Sequence, residues 1–499
     1  WPRMVFVLFT CFVGTVCTVL ERVLLWFVRM RRFRHDPRIE HEPGVVVILG
    51  YYRSGTTHLH NLMACDPRFV TPRWHQCLAG QGFWIGWSVV RFLLVPFLGS
   101  TRPQDGVGFG PDWPAEDDFA LATWGLCSPI PGRLVFPSGW EDWQRWHDLE
   151  NLTDKEKLRW RSLTAMLVWK LTRGRNRHRR VLLKTPSHTS RVAEIERLCR
   201  GNVRFVHLVR PPRAVIDSNV RMHEALSSHL LEDAPDVQTL RDRIVEEYAA
   251  TEDKCTRELE AIEQSRVTRI RYQDLRADGP GTLETVYTRL GLGWDERTNT
   301  EVRDYLSSLG AYSSDREPMD LGEVTDHERE LCQEMTLRYG LDEPTVEARP
   351  VEPAEREPAK VRRGAMVAVA TMAACWGLWL LFVWVYKSMI TNNTRAVPLV
   401  WVFGAAIGLC ARWASGRGTR GLGILCAALT VFMVVTVLFP VSVINWNWAA
   451  EHGTRAWLYH NWKNAYYGLQ GSSSIVMIVL GSITAYKHAS ADGPRPPGM

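Results

Sequence analysis

The chain has 499 residues, more than one ordinary domain needs, and a net charge of +6, a basic excess too mild to indicate nucleic acid by itself. Its 11 cysteines show neither CxxC nor Cys/His ligand spacing, which argues against a structural zinc site or a disulfide framework. Its 22 tryptophans are many for a soluble protein and suit membrane interfaces.

In chain order, residues 4–20 form an apolar run that resumes over 23–28 after Glu21 and Arg22, long enough to span a bilayer. Arg29, Arg31, Arg32, Arg34 and Arg38 follow, and this basic flank places the next stretch in the cytosol. Residues 1–42 are thus an N-terminal transmembrane helix with its flank. Residues 43–348 read as one α/β domain. Short β-branched runs at Val45–Leu49, 181–183, Val203–Val209 and 268–272 alternate with helical patterns, as in a parallel sheet covered on both faces. Residues 83–98 are apolar and aromatic with Arg91 as the single charge. They suit a buried helix or an interfacial helix that admits a lipid-soluble molecule. Residues 349–364 are a charged, proline-containing linker. Four further apolar stretches, at 365–386, 397–411, 421–444 and 472–486, predict a membrane domain of about four helices over 365–488. A tail, 489–499, closes the chain. The expected fold is α/β, a P-loop-like parallel sheet flanked by helices, with α-helical transmembrane segments at both ends, hence a multi-pass membrane protein.

The chemistry concentrates at the end of the first strand run. Gly50–Thr57 has the form G-x4-G-T-T. A strand, a glycine-rich turn and a helix start aim backbone N–H groups at an anion. In the NTPase version, G-x4-G-K-[ST], a lysine contacts the terminal phosphates and a hydroxyl holds Mg²⁺. Here Thr56 takes the lysine position, and the basic residue is Arg53, three positions earlier. The strand run ending at Val209 leads into Arg210 rather than an acid that holds metal. Metal-free handling of an anionic nucleotide is the expectation, with a kinase or NTPase as the alternative.

These residues carry a resemblance. "GYYRSGTTHLHNLM" is similar to the 5′-phosphosulfate loop of sulfotransferases that use 3′-phosphoadenosine 5′-phosphosulfate (PAPS). "RFVHLVRPPRAVIDS" resembles their 3′-phosphate motif, and "RYQDL" their Y-x-D-L element near the adenosine. "PAEDDFAL" and "LLKTPSH" resemble elements of a microbial branch. The resemblance covers about residues 45–340. It implies the sulfotransferase fold, PAPS as donor with PAP as product, and no metal. It implies that Arg53, Ser54, Gly55, Thr56, Thr57 and His58 hold the 5′-phosphate end, that Arg210 and Ser218 hold the 3′-phosphate, and that Tyr272 packs at the adenine. Lys184 would sit near the transferring sulfonate. The acceptor is then a hydroxyl, or an amine, of a lipid-like or carbohydrate molecule in contact with membrane lipids. Related eukaryotic enzymes often face the Golgi lumen, the alternative to the cytosolic orientation. A catalytically silent nucleotide-binding scaffold is a further alternative.

The acceptor must lose a proton as it attacks. Many relatives place a Glu about twenty residues after the loop, where this chain reads "TPRWHQCL" with His75 and Gln76. The candidate bases are therefore Glu116, ranked first, then Asp117, His75 and His188. Acids at 116–118 also suit a helix N-terminus. Arg191 is expected on a helix surface.

Overall fold

A computed structural model describes residues 15, 18–84, 108–227, 230, 232–309, 321–341 and 426. The chain divides into two compact units, one of residues 1–91, 101–353 and 495–499, the other of 92–100 and 354–494. All described residues except Cys426 lie in the first. The four C-terminal apolar stretches, the linker 349–364 and the segment 85–98 lie outside the described residues, Cys426 apart. Among the described residues, no helix is long and apolar enough to cross a membrane.

The first unit is built on five parallel strands: β1 Val45–Leu49, β2 Phe69–Val70, β3 Arg180–Lys184, β4 Val203–Val209 and β5 Val267–Arg271. Their order across the sheet is β2-β3-β1-β4-β5. Every residue of β1 is buried, which its run of Val and Ile already implied. Alternate residues serve opposite faces: Val45, Val47 and Leu49 join one apolar cluster, Val46 and Ile48 the other. The first face is covered by the helices Asp154–Leu171 and Val192–Cys199, the second by Thr56–Met63 and Gly279–Arg289. The α/β expectation with a helix-flanked parallel sheet is met.

Strand order decides where the site lies. From β1 the chain first builds one side of the sheet, β2 and β3, and then crosses to the other with β4. The helix after β1, Thr56–Met63, therefore packs on one face, while the helices after β3 and β4, Val192–Cys199 and Val237–Glu260, pack on the other, which opens a crevice at the carboxyl ends of the strands. Gly50–Thr57, Lys184, Arg210 and Tyr272 all fall at those ends. One strand is absent from the sequence reading and one reading needs adjustment. β2 has two residues, too short to show a period. β5 ends one residue early, so Tyr272 opens the helix Tyr272–Ala277 instead of closing a strand.

Candidate active site at the strand ends

The loop after β1 depends on glycine at two points. Gly50 has φ of 144°, and a Cβ there would lie 2.7 Å from the Leu208 carbonyl oxygen. Gly55 has φ of 96°, and a Cβ there would lie 2.4 Å from two ring carbons of Tyr272. Close approach of a ring to the backbone and a left-handed φ together require glycine. Neighbouring segments hold the turn from outside. The Gly50 N–H donates to Thr189 Oγ1 at 2.8 Å, and Asn219 Nδ2 donates to the Tyr52 carbonyl at 2.8 Å. Tyr52 and Ser187 hydroxyls lie 3.0 Å apart. The helix Thr56–Met63 then begins at the loop, so its first N–H groups face the turn.

Four residues from separate segments meet beside this loop. Arg53 Nε donates to Ser218 Oγ at 3.1 Å. Arg210 Nη1 donates to the Arg53 carbonyl at 2.8 Å, and its guanidinium sits 4.9 Å from the centre of the Tyr272 ring. Two guanidinium groups, a hydroxyl and an aromatic face thus form one group. Their fork-shaped donors suit phosphate oxygens. His58, in the first turn of the helix, has its pKa lowered to about 4 by burial, with the Arg276 charge acting in the same direction.

The second half of the site is an ion-pair ladder. Lys184, at the end of β3, donates from Nζ to Glu116 Oε1 at 2.6 Å and to Thr57 Oγ1 at 3.3 Å. His188 Nε2 lies 2.8 Å from Asp117 Oδ2. Arg191 donates from both terminal nitrogens to Asp118, at 2.8 and 3.1 Å. Three consecutive acids therefore meet three bases spaced along 184–191. Burial pushes the Asp117 carboxyl up, but the charge and hydrogen bond of His188 prevail and hold it below the usual carboxylate range. Arg191 is not on a helix surface. It is buried, and also donates to the Trp146 and His147 carbonyls. It precedes the helix Val192–Cys199, so helical periodicity does not predict its direction.

The ladder separates the candidate bases. Asp117, Asp118, His188 and Arg191 are all buried and occupied with one another. Glu116 is the acid at the loop end, its side chain 19% exposed against 2% for Lys184. It is also the residue before the helix Asp117–Gly125, so Asp117 and Asp118 do sit in a helix first turn as their sequence position allowed. His75 Nδ1 lies 2.7 Å from the Pro111 carbonyl, a contact that fastens the segment before Glu116. Gln76 accepts from the Arg73 N–H at 2.9 Å and so closes its own helix start. Arg73 also bridges to Pro114, bringing Trp74, Phe109 and Phe119 together as an aromatic wall next to Glu116. Sequence reading did not single out Thr189, Ser187 or Asn219. Their nearness in sequence to His188 and Ser218 was the available signal.

Residues 130–296 match a family model described as "Sulfotransferase family". Two curated relatives, each named omega-hydroxy-beta-dihydromenaquinone-9 sulfotransferase Stf3, come from Mycobacterium bovis and Mycobacterium tuberculosis. Each is 30% identical over 317 residues, covering 62% of this chain and 78% of the relative. A crystal structure of sulfotransferase STF1 from Mycobacterium tuberculosis is 16% identical with a TM-score of 0.46, covering 64% of this chain and 83% of that one.

Proposed function

The chain belongs to the sulfotransferase family, and on that premise we propose that it moves a sulfuryl group from PAPS to a hydroxyl of a lipid-like acceptor at a membrane. The observation that carries this reading is the meeting of Arg53, Arg210, Ser218 and Tyr272 beside the glycine turn. The residues fit the donor. Gly55 sits at a helix start against the Tyr272 ring, and the Arg210 guanidinium lies over that same ring while Arg53 donates to Ser218. Arg53 and residues Ser54 to Thr57 hold the 5′-phosphate, with His58 behind them as a neutral imidazole. Arg210 and Ser218 hold the 3′-phosphate, and Tyr272 packs at the adenosine.

PAPS supplies an activated sulfuryl group on a phosphate leaving group. This chain's part is to place fixed cations where negative charge grows, which is the arrangement that favours the transition state. Arg53, within the loop, and Lys184, which donates to Thr57 at its end, do so. Glu116 takes the proton of the acceptor hydroxyl. Lys184 joins the Glu116 carboxylate to the Thr57 hydroxyl, so base and loop are held in one hydrogen-bonded line. His188, acting through Asp117, positions that line.

The acceptor class is drawn from the curated relatives, whose name specifies a hydroxylated menaquinone. The half-buried wall of Trp74, Phe109 and Phe119 beside Glu116 supports an apolar acceptor. The apolar stretches of the C-terminal part support a multi-pass membrane protein, with 43–348 as a cytosolic catalytic domain and 365–488 as a membrane domain. Transfer from radiolabelled PAPS to a membrane lipid extract tests the reading. A labelled lipid with the wild type, lost in Arg53→Ala, is expected. Equal label from both overturns it. So does Mg²⁺-dependent ATP turnover without sulfuryl transfer, or tight PAPS binding with no transfer to any acceptor pool.

A further inference from the structure

The helical residues 18–28 and their continuation Arg29–Phe33 lie along the catalytic unit instead of leaving it. Their inner face is fixed there. Glu21 is fully buried and takes a hydrogen bond from Lys170 Nζ at 2.6 Å, and its carboxylate also accepts from the Trp84 N–H at 3.0 Å. Lys170 itself sits 3.8 Å from the centre of the Phe83 ring. A Cβ at Gly82 would lie 2.0 Å from Thr18 Cγ2, so helix and turn touch at backbone distance. Leu25 and Phe33 complete the inner stripe, and Ser162 Oγ donates to the Phe33 carbonyl at 2.7 Å.

The outer face is the reverse of an ordinary surface. Of the eleven large apolar side chains exposed among the described residues, seven lie between Val19 and Met30. Leu20 is 71% exposed and Trp26 57%. Scattered exposed apolar residues are normal, whereas a contiguous stripe marks a surface that meets something apolar. Arg29, Arg31, Arg32 and Arg34 follow at one end, and Arg22 interrupts the run. An apolar stripe with tryptophan and phenylalanine, edged by arginines, matches the boundary between acyl chains and anionic headgroups.

We propose that residues 19–34 dock flat on an anionic bilayer surface, with the inner face of the helix holding the catalytic unit against it. This deepens the membrane location in the proposed function and replaces, for residues 18–28, the expectation of a helix that crosses. The burial of Glu21 supplies the reason: the interruption in the apolar run is the residue that ties the helix down.

The test uses the full 499-residue chain reconstituted in vesicles of anionic and zwitterionic lipid. An environment-sensitive probe is placed on Leu20→Cys, Leu24→Cys, Phe27→Cys or, as an inner control, Leu25→Cys, with labelling of the unsubstituted chain subtracted. Quenching by lipid-phase and aqueous quenchers then gives depth. Positions 20, 24 and 27 at one shallow depth, with 25 shielded from the lipid-phase quencher, are expected. In vesicles without anionic lipid, or with Arg29, Arg31, Arg32 and Arg34 changed to Gln, lipid-phase quenching at the outer positions is lost. A steady depth change of about 10 Å between 20 and 27 is what a crossing helix gives, at 1.5 Å per residue, and overturns the proposal. Quenching at the outer positions by the aqueous quencher alone overturns it. Shielding from both quenchers also overturns it, and points to protein cover. Transfer from labelled PAPS in the same vesicles is read separately, so a failed depth profile and a failed activity are distinguishable.

Discussion

At the scale of single residues, the acid nearest the loop should govern the chemistry and the turn glycine should govern donor binding. Glu116→Gln removes the proton acceptor and keeps a group that Lys184 can reach. A fall in kcat of about 10²–10⁴-fold is expected, the usual range for a general base, with PAP affinity within a few-fold of wild type. Steady-state kinetics and calorimetric titration with PAP check this, and an unchanged kcat removes Glu116 from the role. Gly55→Ala forces a methyl to 2.4 Å from the Tyr272 ring at a φ of 96°, where a side chain also costs about 1–2 kcal/mol. PAP affinity should drop at least about tenfold, a change of about 1.4 kcal/mol. Adding Tyr272→Ala should not restore it, because the left-handed φ remains and the ring that packs at the adenosine is gone. Wild-type affinity in Gly55→Ala is the contrary result. Much of this site was legible in the sequence because loop chemistry is local: glycines, Arg53 and the threonines lie within eight positions. The roles of Asp117, His188 and Arg191 were not, since pairing and burial are set by which segments meet, and Arg191 sits just outside any helical period.

At the scale of elements, the ladder between 116–118 and 184–191 splits into a working end and a structural end. Asp118 and Arg191 are both fully buried, so removing the acid leaves an uncompensated guanidinium, at a cost of about 3–5 kcal/mol. Glu116 stands at the partly exposed end, and Gln still hydrogen-bonds there. Denaturant unfolding should therefore show Asp118→Ala as far more destabilised than Glu116→Gln, while activity per folded molecule falls more in Glu116→Gln. Equal destabilisation by the two changes would mean that the ladder is purely structural. The strands that frame it were readable as β-branched runs, and the sheet follows from them. The two-residue β2 and the helix that begins at Tyr272 were not readable, because neither changes the local pattern of apolar residues.

At the scale of the whole molecule, the α/β unit was legible from alternating strand and helix patterns. The segment around Glu21 was not, because hydropathy alone does not reveal that a charge inside an apolar run meets a buried lysine of a distant helix. The same unit carries buried and half-buried histidines on several elements, and their charge is a property of the fold as a whole. Burial lowers His58 to about 4 and His223 to about 3, each helped by a nearby arginine, Arg276 and Arg133 respectively. His60 and His147 are also held well below the ordinary value of 6.5 by burial. In the unfolded chain these groups take up protons near that ordinary value. Between about pH 6.5 and 4 these histidines thus bind more protons in the unfolded state than in the folded one, and their contribution to stability rises with pH. Stability gained from histidine is complete above that window and is lost as pH falls through it. Asp117, whose pKa is lowered, has its contribution lost at lower pH, below the usual carboxylate value of 3.8. Unfolding followed from pH 7.5 to 4.5 at fixed ionic strength should show a monotonic loss. His223→Gln should flatten the slope by up to about 1.4 kcal/mol per pH unit, the value of one proton. The His223 ring packs against Trp140 with Nε2 buried and without a hydrogen bond, so that substitution tests the proton with little loss of pairing. Stability that is constant or rises on acidification across this window would show that these imidazoles are not kept neutral by the fold.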